Sequence, residues 1–285
     1  MKLIRFGKQG EEKPGILLSN DEKIDVSSFV SDYDEKFFES GGLVSLKDWL
    51  NENEASAPRL DDSIRLGSPI ARPSKIICIG LNFKDHAAES GFDAPEEPLI
   101  FGKATSAICG PYDNIIIPRG SEQTDWEVEL GVVIGKKTSY VDQDQALEHV
   151  GGYVLHNDVS ERAFQKDRGG QWIKGKSADT FAPMGPFMAT PDEIDNISDM
   201  RMWLNVNGEN MQDGNTSKLI FSVDHVISYL SQFMTLLPGD FISTGTPAGV
   251  GMGMNPEKYL KAGDVVELGI DGLGSSKQTV VAYEE

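Results

Sequence analysis

The chain has 285 residues, 39% of them hydrophobic and 25% charged, which is enough apolar sequence to bury a sizeable core in one large domain. A formal net charge of −19 at pH 7 argues against nucleic acid and anionic membrane as partners, since both are held by clustered Lys and Arg. No apolar run is long enough to span a bilayer, and the polar start Met-Lys-Leu-Ile-Arg-Phe-Gly-Lys lacks the apolar core of a signal peptide, so a cytoplasmic protein is expected.

Residues 1 to about 70 hold two strand-like runs, Lys-Leu-Ile-Arg-Phe and Gly-Ile-Leu-Leu, and a short helix around Ser45 to Asn51. A polar stretch punctuated by Pro58, Pro69 and Pro73 follows, so residues 1–70 are expected to form a small N-terminal subdomain and linker, and residues 71–285 the main domain. From Lys75 onward, apolar runs recur between Gly, Pro and Asp turns, the pattern of a mainly β domain with some α. Cys78 and Cys109 both sit in apolar runs and read as reduced, buried small hydrophobes. One long segment has helical periodicity: Ser222 as N-cap, then Val223, Val226, Ile227, Leu230, Phe233, Met234 and Leu237, with a stop at Pro238-Gly239. The tail, Asp264-Val-Val-Glu-Leu-Gly-Ile, Gly-Leu-Gly and Gln-Thr-Val-Val-Ala-Tyr, predicts a closing strand pair.

Three carboxylates fall in two short apolar segments, Thr-Asp-Trp-Glu-Val-Glu-Leu-Gly-Val-Val-Ile and Gly-Gly-Tyr-Val-Leu-His-Asn-Asp-Val. As a strand, the first puts Glu127 and Glu129 on one face and packs Trp126, Val128 and Leu130 on the other. Two such carboxylates repel unless a cation neutralises them, and Asp158, at the end of the second run, completes an all-oxygen set suited to Mg²⁺ or Mn²⁺, with Ca²⁺ third. The competing reading is an edge strand with a polar face.

After the run Lys75 to Gly80 comes Leu-Asn-Phe-Lys-Asp-His-Ala-Ala-Glu, in which Asn82 or Asp85 caps a short helix and His86 and Glu89 stand at i, i+3. A carboxylate beside an imidazole supports the arrangement of a general base that activates water, although the same spacing serves an incidental surface ion pair. Gly91, Pro95 and Pro98 bound a stretch with the composition of a mobile lid. His149 and His225 carry weaker signals, and the role of His156, beside Asp158, stays open.

Gly170-Gln-Trp-Ile-Lys-Gly-Lys-Ser177 satisfies the phosphate-loop pattern G-x-x-x-x-G-K-S. Its context argues against nucleotide binding, because Glu161-Arg-Ala-Phe-Gln-Lys-Asp-Arg precedes it where a buried strand is needed and two prolines stand where the following helix must run. Lys176 reads instead as a cation on a flexible loop, placed to meet a substrate carboxylate.

Taken together, Gly80-Leu-Asn-Phe-Lys-Asp-His-Ala-Ala-Glu89, Phe101-Gly-Lys103, Asp125-Trp-Glu-Val-Glu-Leu-Gly-Val-Val-Ile-Gly135, Asn157-Asp-Val-Ser-Glu-Arg162, Gly175-Lys-Ser-Ala-Asp-Thr-Phe-Ala-Pro-Met-Gly-Pro186 and Thr244-Gly-Thr-Pro-Ala-Gly-Val-Gly251 make the chain resemble the fumarylacetoacetate hydrolase family. The resemblance spans most of residues 75 to 285 and implies a mixed β-roll, a mainly antiparallel sandwich or distorted barrel, in a homodimer. It implies metal ligation by Glu127, Glu129 and Asp158, and a catalytic His86–Glu89 dyad on a lid helix in which Glu89 orients His86. It further implies that Lys103 and Lys176 place positive charge near the substrate, that Arg162 and Gln165 lie near the bound acid, and that Thr246 donates hydrogen bonds to its carboxylate. For the last three, plain loop architecture is the competing reading.

The substrates so implied are small anionic 2-oxo acids with a second activating group, commonly 2,4-dioxo acids cleaved between C3 and C4 to release pyruvate. The N-terminal Met-Lys-Leu-Ile-Arg-Phe-Gly and the loop from Arg168 to Phe181 resemble the branch that hydrolyses 2,4-diketo-3-deoxy-fuconate or -rhamnonate, beside the acylpyruvases. Oxaloacetate decarboxylation, isomerisation, hydration and ureidoglycolate lyase activity are the alternatives on the same metal centre.

Overall fold

The computed structural model describes residues 1–89, 91 and 93–284. Its spine is an open sheet in which strand Val128–Ile134 pairs antiparallel with Val150–Asn157, and that strand pairs with Ala182–Ala189. All three strands are buried along their whole length, which requires the near-continuous apolar runs seen in the sequence. On the other side of Val128–Ile134 lie Phe241–Ser243, then Ile76–Gly80 in parallel with it, and last Leu99–Lys103. A second open sheet runs Glu209–Asn215, Arg201–Val206, Val265–Ile270, Gly274–Ala282 and Ile115–Ile117, and it contains the predicted closing strand pair. The fold is therefore mainly β, as expected, but neither sheet closes on itself into a barrel.

The N-terminal region contributes strands to this architecture. Lys2–Phe6 pairs with Ala182–Ala189 through Lys2↔Ala189 and Leu3↔Met188, so the hairpin Lys2–Phe6 and Lys13–Leu17 extends the spine sheet. Leu3, Ile4, Tyr33 and Leu46 share one hydrophobic cluster with Val154 and Met188. The helix expected around Ser45 to Asn51 runs Gly42–Asn53. Cys78 and Cys109 are both buried free thiols, as their apolar runs imply.

The helix expected from Ser222 to Leu237 is shorter, Val223–Ser231. Its first two turns bury Val223, Val226, Ile227 and Leu230, but Phe233 is 62% exposed. The helix stops because Leu236 exchanges two backbone hydrogen bonds with Thr138, both 2.9 Å, which an α-helical Leu236 cannot make. Among the described residues no helix is long and apolar enough to cross a membrane. The stretch read as a lid includes Phe92, which lies outside the described residues.

Candidate metal centre

Register brings the acidic residues together. Val128 stands opposite Asn157 and Glu129 opposite His156, so the start of one central strand lies beside the end of the other, and Asp158 N–H donates to Glu127 O at 2.9 Å. Glu127, Glu129 and Asp158 thereby offer oxygens that all lie within 4.8 Å of one another. Each is at most 4% exposed, so an edge strand with a solvated polar face is excluded.

Buried carboxylates at this spacing need counter-charge. Lys176 Nζ bridges Glu127 Oε2 and Asp158 Oδ2, both at 2.6 Å, and Lys103 Nζ donates to Asp158 Oδ1 and to Val159 O. Arg162 reaches Glu127 Oε1 at 2.6 Å through Nη2, Asp125 Oδ2 at 2.8 Å through Nε and Gln165 Oε1 at 3.0 Å through Nη1. Among the described residues Glu129 makes no ion pair with a lysine or arginine. Its Oε2 accepts from Ser243 Oγ at 2.5 Å and from Gly245 N–H at 2.8 Å.

The charges follow from these contacts. Burial pushes the Asp158 carboxyl up, but Lys103 and Lys176 outweigh it and hold the group below the usual carboxylate range. Burial lowers the Lys176 ammonium, and Asp158 and Glu127 more than reverse that, so it stays charged. Glu129 goes the other way: burial first, then the charges of Asp158 and Glu127, push its carboxyl well up. An acidic oxygen set with one under-neutralised member fits a hard divalent cation, which Glu127, Glu129 and Asp158 would hold.

The set opens into a pocket of about 350 Å³ that Glu127, Glu129, Arg162, Gln165, Lys176, Thr246, His86 and Glu89 line together. His86 and Glu89 occupy the short helix Lys84–Glu89 with Nδ1 and Oε1 3.5 Å apart, and among the described residues neither atom has a hydrogen-bond partner although both are buried. The other oxygen, Glu89 Oε2, accepts from Gly249 N–H at 2.7 Å. Gly253 presses against the same carboxylate, where an added Cβ would lie 2.3 Å from Glu89 Cδ. The pair is therefore set into the pocket wall rather than free on a surface helix.

Several expectations need correction. Asn82 does not cap this helix: its amide bridges Phe221 and Thr244, accepting from Phe221 N–H at 2.8 Å and donating to Thr244 O at 2.7 Å. Lys176 is not on a flexible loop. It ends the short helix Ile173–Lys176 and is 2% exposed, because the carboxylates it neutralises are themselves buried. The Thr246 hydroxyl donates to Val128 O at 2.9 Å and accepts from Gln212 Nε2 at 2.8 Å, so its proton is committed to the fold rather than to a substrate carboxylate. His156 is buried with Nδ1 3.0 Å from Pro183 O and its ring edge-on to Phe241, and burial lowers its pKa to about 3, which makes it a neutral core residue. His149 bonds Thr138, and His225 stacks between Phe221 and Tyr229, so His86 is the histidine that lines the pocket.

Sequence reasoning missed Asp125, Ser243 and Gly253. Asp125 anchors Arg162 and also accepts from Gly251 N–H at 2.7 Å and Met252 N–H at 3.1 Å, tying the glycine-rich loop to the acidic strand. Its place two residues before Glu127 was the available signal. Ser243 and Gly253 belong to segments distant in sequence and gave none.

The phosphate-loop string lacks the strand before it and the helix after it that a P-loop needs. The helix Arg162–Lys166 precedes it and strand Ala182–Ala189 follows, the reverse of the order a P-loop uses. Equilibrium dialysis is expected to show no ATP binding; stoichiometric micromolar binding overturns this reading. Because Lys176 neutralises two buried carboxylates, Lys176→Ala is expected to lower the melting temperature of the metal-free protein as well as to weaken binding of an anionic oxo acid.

The fold and site together define a mainly β protein in which three buried carboxylates and a His–Glu pair share one pocket. The family model described as fumarylacetoacetate (FAA) hydrolase C-terminal matches residues 75–281, and the chain belongs to that family of hydrolases and isomerases. A curated relative from Burkholderia ambifaria, named "Putative hydrolase", is 50% identical over 280 residues, 98% of each chain. The crystal structure of fumarylacetoacetate hydrolase from Exiguobacterium antarcticum superposes with a TM-score of 0.86 at 35% identity, over 99% of this chain and 100% of that one. Maleylpyruvate hydrolase from Sphingobium sp. SYK-6, in complex with manganese(II) and pyruvate, superposes with a TM-score of 0.83 at 27% identity over the whole of both chains.

Proposed function

We propose that this chain hydrolyses the C3–C4 bond of a 2,4-dioxo acid, a 2,4-diketo-3-deoxy sugar acid or an acylpyruvate, and releases pyruvate with Mg²⁺ or Mn²⁺ as cofactor. The observation that carries the reading is one pocket lined by both the Glu127 and Glu129 carboxylates and the His86–Glu89 pair. The manganese and pyruvate bound to the Sphingobium relative support it. When bound, the cation supplies a chelation point for adjacent carboxylate and 2-oxo oxygens and charge that favours departure of an enolate.

This chain's own residues do the rest. His86 takes a proton from water through the imidazole nitrogen that does not face Glu89, and Glu89 holds the ring and balances the imidazolium. The hydroxide adds at C4, the C3–C4 electron pair passes to C3, and C4 leaves as a carboxylic acid. A proton returned to C3 completes pyruvate. Arg162, Lys176 and Lys103 hold the carboxylates in place and keep the bottom of the site from being excessively negative toward an anionic substrate.

Oxaloacetate decarboxylation, the runner-up, also needs an enolate but consumes no water, so the His86–Glu89 pair has no task in it. Turnover over Michaelis constant for acetylpyruvate and for oxaloacetate, compared at one Mg²⁺ concentration, is the deciding experiment. The acylpyruvate is expected to be the better substrate. A tenfold or greater preference for oxaloacetate transfers the assignment to the decarboxylase.

A further inference from the structure

Beside its charged groups the pocket has an apolar lining, which begins where the Phe101 ring lies 5.0 Å from Lys176 Nζ. Leu81, Phe101, Trp172 and Met252 form it, and all four are only partly buried in this structure, so apolar surface faces the cavity. Trp172 is seated there by design of the backbone beneath it: a Cβ on Gly80 would lie 2.6 Å from the indole ring, and Phe101 meets that ring edge-on with centroids 5.2 Å apart. Leu81 has φ 54°, a left-handed conformation that a leucine adopts at a cost, and half-burial returns little for it. Leu81 therefore joins a strained backbone to a cavity wall, the setting in which such strain accompanies ligand binding.

The charges nearby do not make a second anion site. Arg162 and Lys176 are committed to Asp125, Glu127 and Asp158. Lys166 is exposed at the rim with its amine against Met252 Sδ at 3.6 Å, and the exposed Glu257, also on the pocket lining, carries the opposite charge. A distal carboxylate would meet one exposed cation offset by one exposed anion, and a polyhydroxyl arm would leave its hydroxyls against apolar carbon.

The geometry points to an apolar cleft, built by Leu81, Phe101, Trp172 and Met252, that selects 2,4-dioxo acids bearing an apolar acyl arm over those bearing a second carboxylate or a polyol chain. This inference rests on the 2,4-dioxo acid reading and narrows it. Trp172 and Leu81 are its specificity-determining residues.

The test uses the Mn²⁺-loaded full chain with acetyl-, butanoyl-, hexanoyl- and succinylpyruvate. Turnover over Michaelis constant is expected to rise about fourfold per added methylene along the alkyl series, the worth of burying one CH₂. Succinylpyruvate is expected to fall well below butanoylpyruvate. Trp172→Ala and Leu81→Gly should each flatten the chain-length slope to less than about twofold per methylene, and Leu81→Gly should do so without lowering the melting temperature, since it relieves the backbone. A slope unchanged in both variants, a flat slope in the wild type, or a tenfold preference for succinylpyruvate overturns the cleft. Oxalate, which chelates but has no arm, separates the two levels of failure: a thermal shift by oxalate with Mn²⁺ alongside a flat slope removes the cleft alone, whereas no shift removes the 2,4-dioxo acid reading with it.

Discussion

Glu129→Gln is expected to lower Mn²⁺ affinity about 10- to 100-fold and to take turnover down with it, while leaving the metal-free protein at least as stable as wild type. The combination is unusual for a buried substitution and follows from the environment of this residue. Glu129 is 2% exposed, has Glu127 and Asp158 beside it and, among the described residues, pairs with no lysine or arginine, so its negative charge is a burden on the fold until a cation arrives. Glutamine keeps the size and an oxygen for Ser243 Oγ and Gly245 N–H, and removes that charge. Titration calorimetry with Mn²⁺ and a metal-free melting curve measure both halves. Unchanged affinity in Glu129→Gln, Glu127→Gln and Asp158→Asn alike removes the metal centre. Asp158→Asn is expected to differ from Glu129→Gln in the melting curve, because it strands Lys103 and one contact of Lys176.

His86→Ala is expected to leave Mn²⁺ affinity near wild type and to lower maximal turnover about a hundredfold or more, the usual worth of a general base. His86 is no ligand of the proposed cation, and its imidazole touches the site through Glu89 and the pocket. Gly253→Ala offers a second route to the same end, since a methyl at that position would displace the Glu89 carboxylate and misorient the ring without replacing either side chain of the pair. Its loss of turnover is expected to be smaller than that of His86→Ala, with metal affinity again unchanged. Full turnover in His86→Ala on the best acylpyruvate excludes the dyad from the chemistry.

Much of this site was legible along the chain because the chemistry is written in short stretches. Glu127 and Glu129 straddle Val128 with the period of a strand, and His86 and Glu89 share one turn of helix, so local geometry sufficed to pair each set. The apolar runs of Ile76–Gly80 and Val150–Asn157 were equally plain, since strands buried on both faces have no polar positions to disguise them. Helix length was less legible. The apolar period of Val223 to Leu230 continues past Ser231, and only the bridge to Thr138 ends it.

What the sequence by itself determined is the donor chemistry: three carboxylates for a hard cation, an imidazole with its carboxylate, two lysines in motifs near them, and a mainly β chain to carry them. Tertiary structure alone decided which groups are spent on holding the site and which are left to act. Lys103, Lys176 and Arg162 were read as substrate cations, yet burial of the acidic set draws all three onto carboxylates. The Thr246 hydroxyl is spent on donating to Val128 O in the same way. Asp125, Ser243, Gly245 and Gly253 entered because strands and loops far apart in sequence meet at one end of the sheet. The physical reason is common to all of them: a residue type states what a side chain is able to bind, but desolvation sets how urgently it must be paired, and only the packed structure settles which partner is within reach.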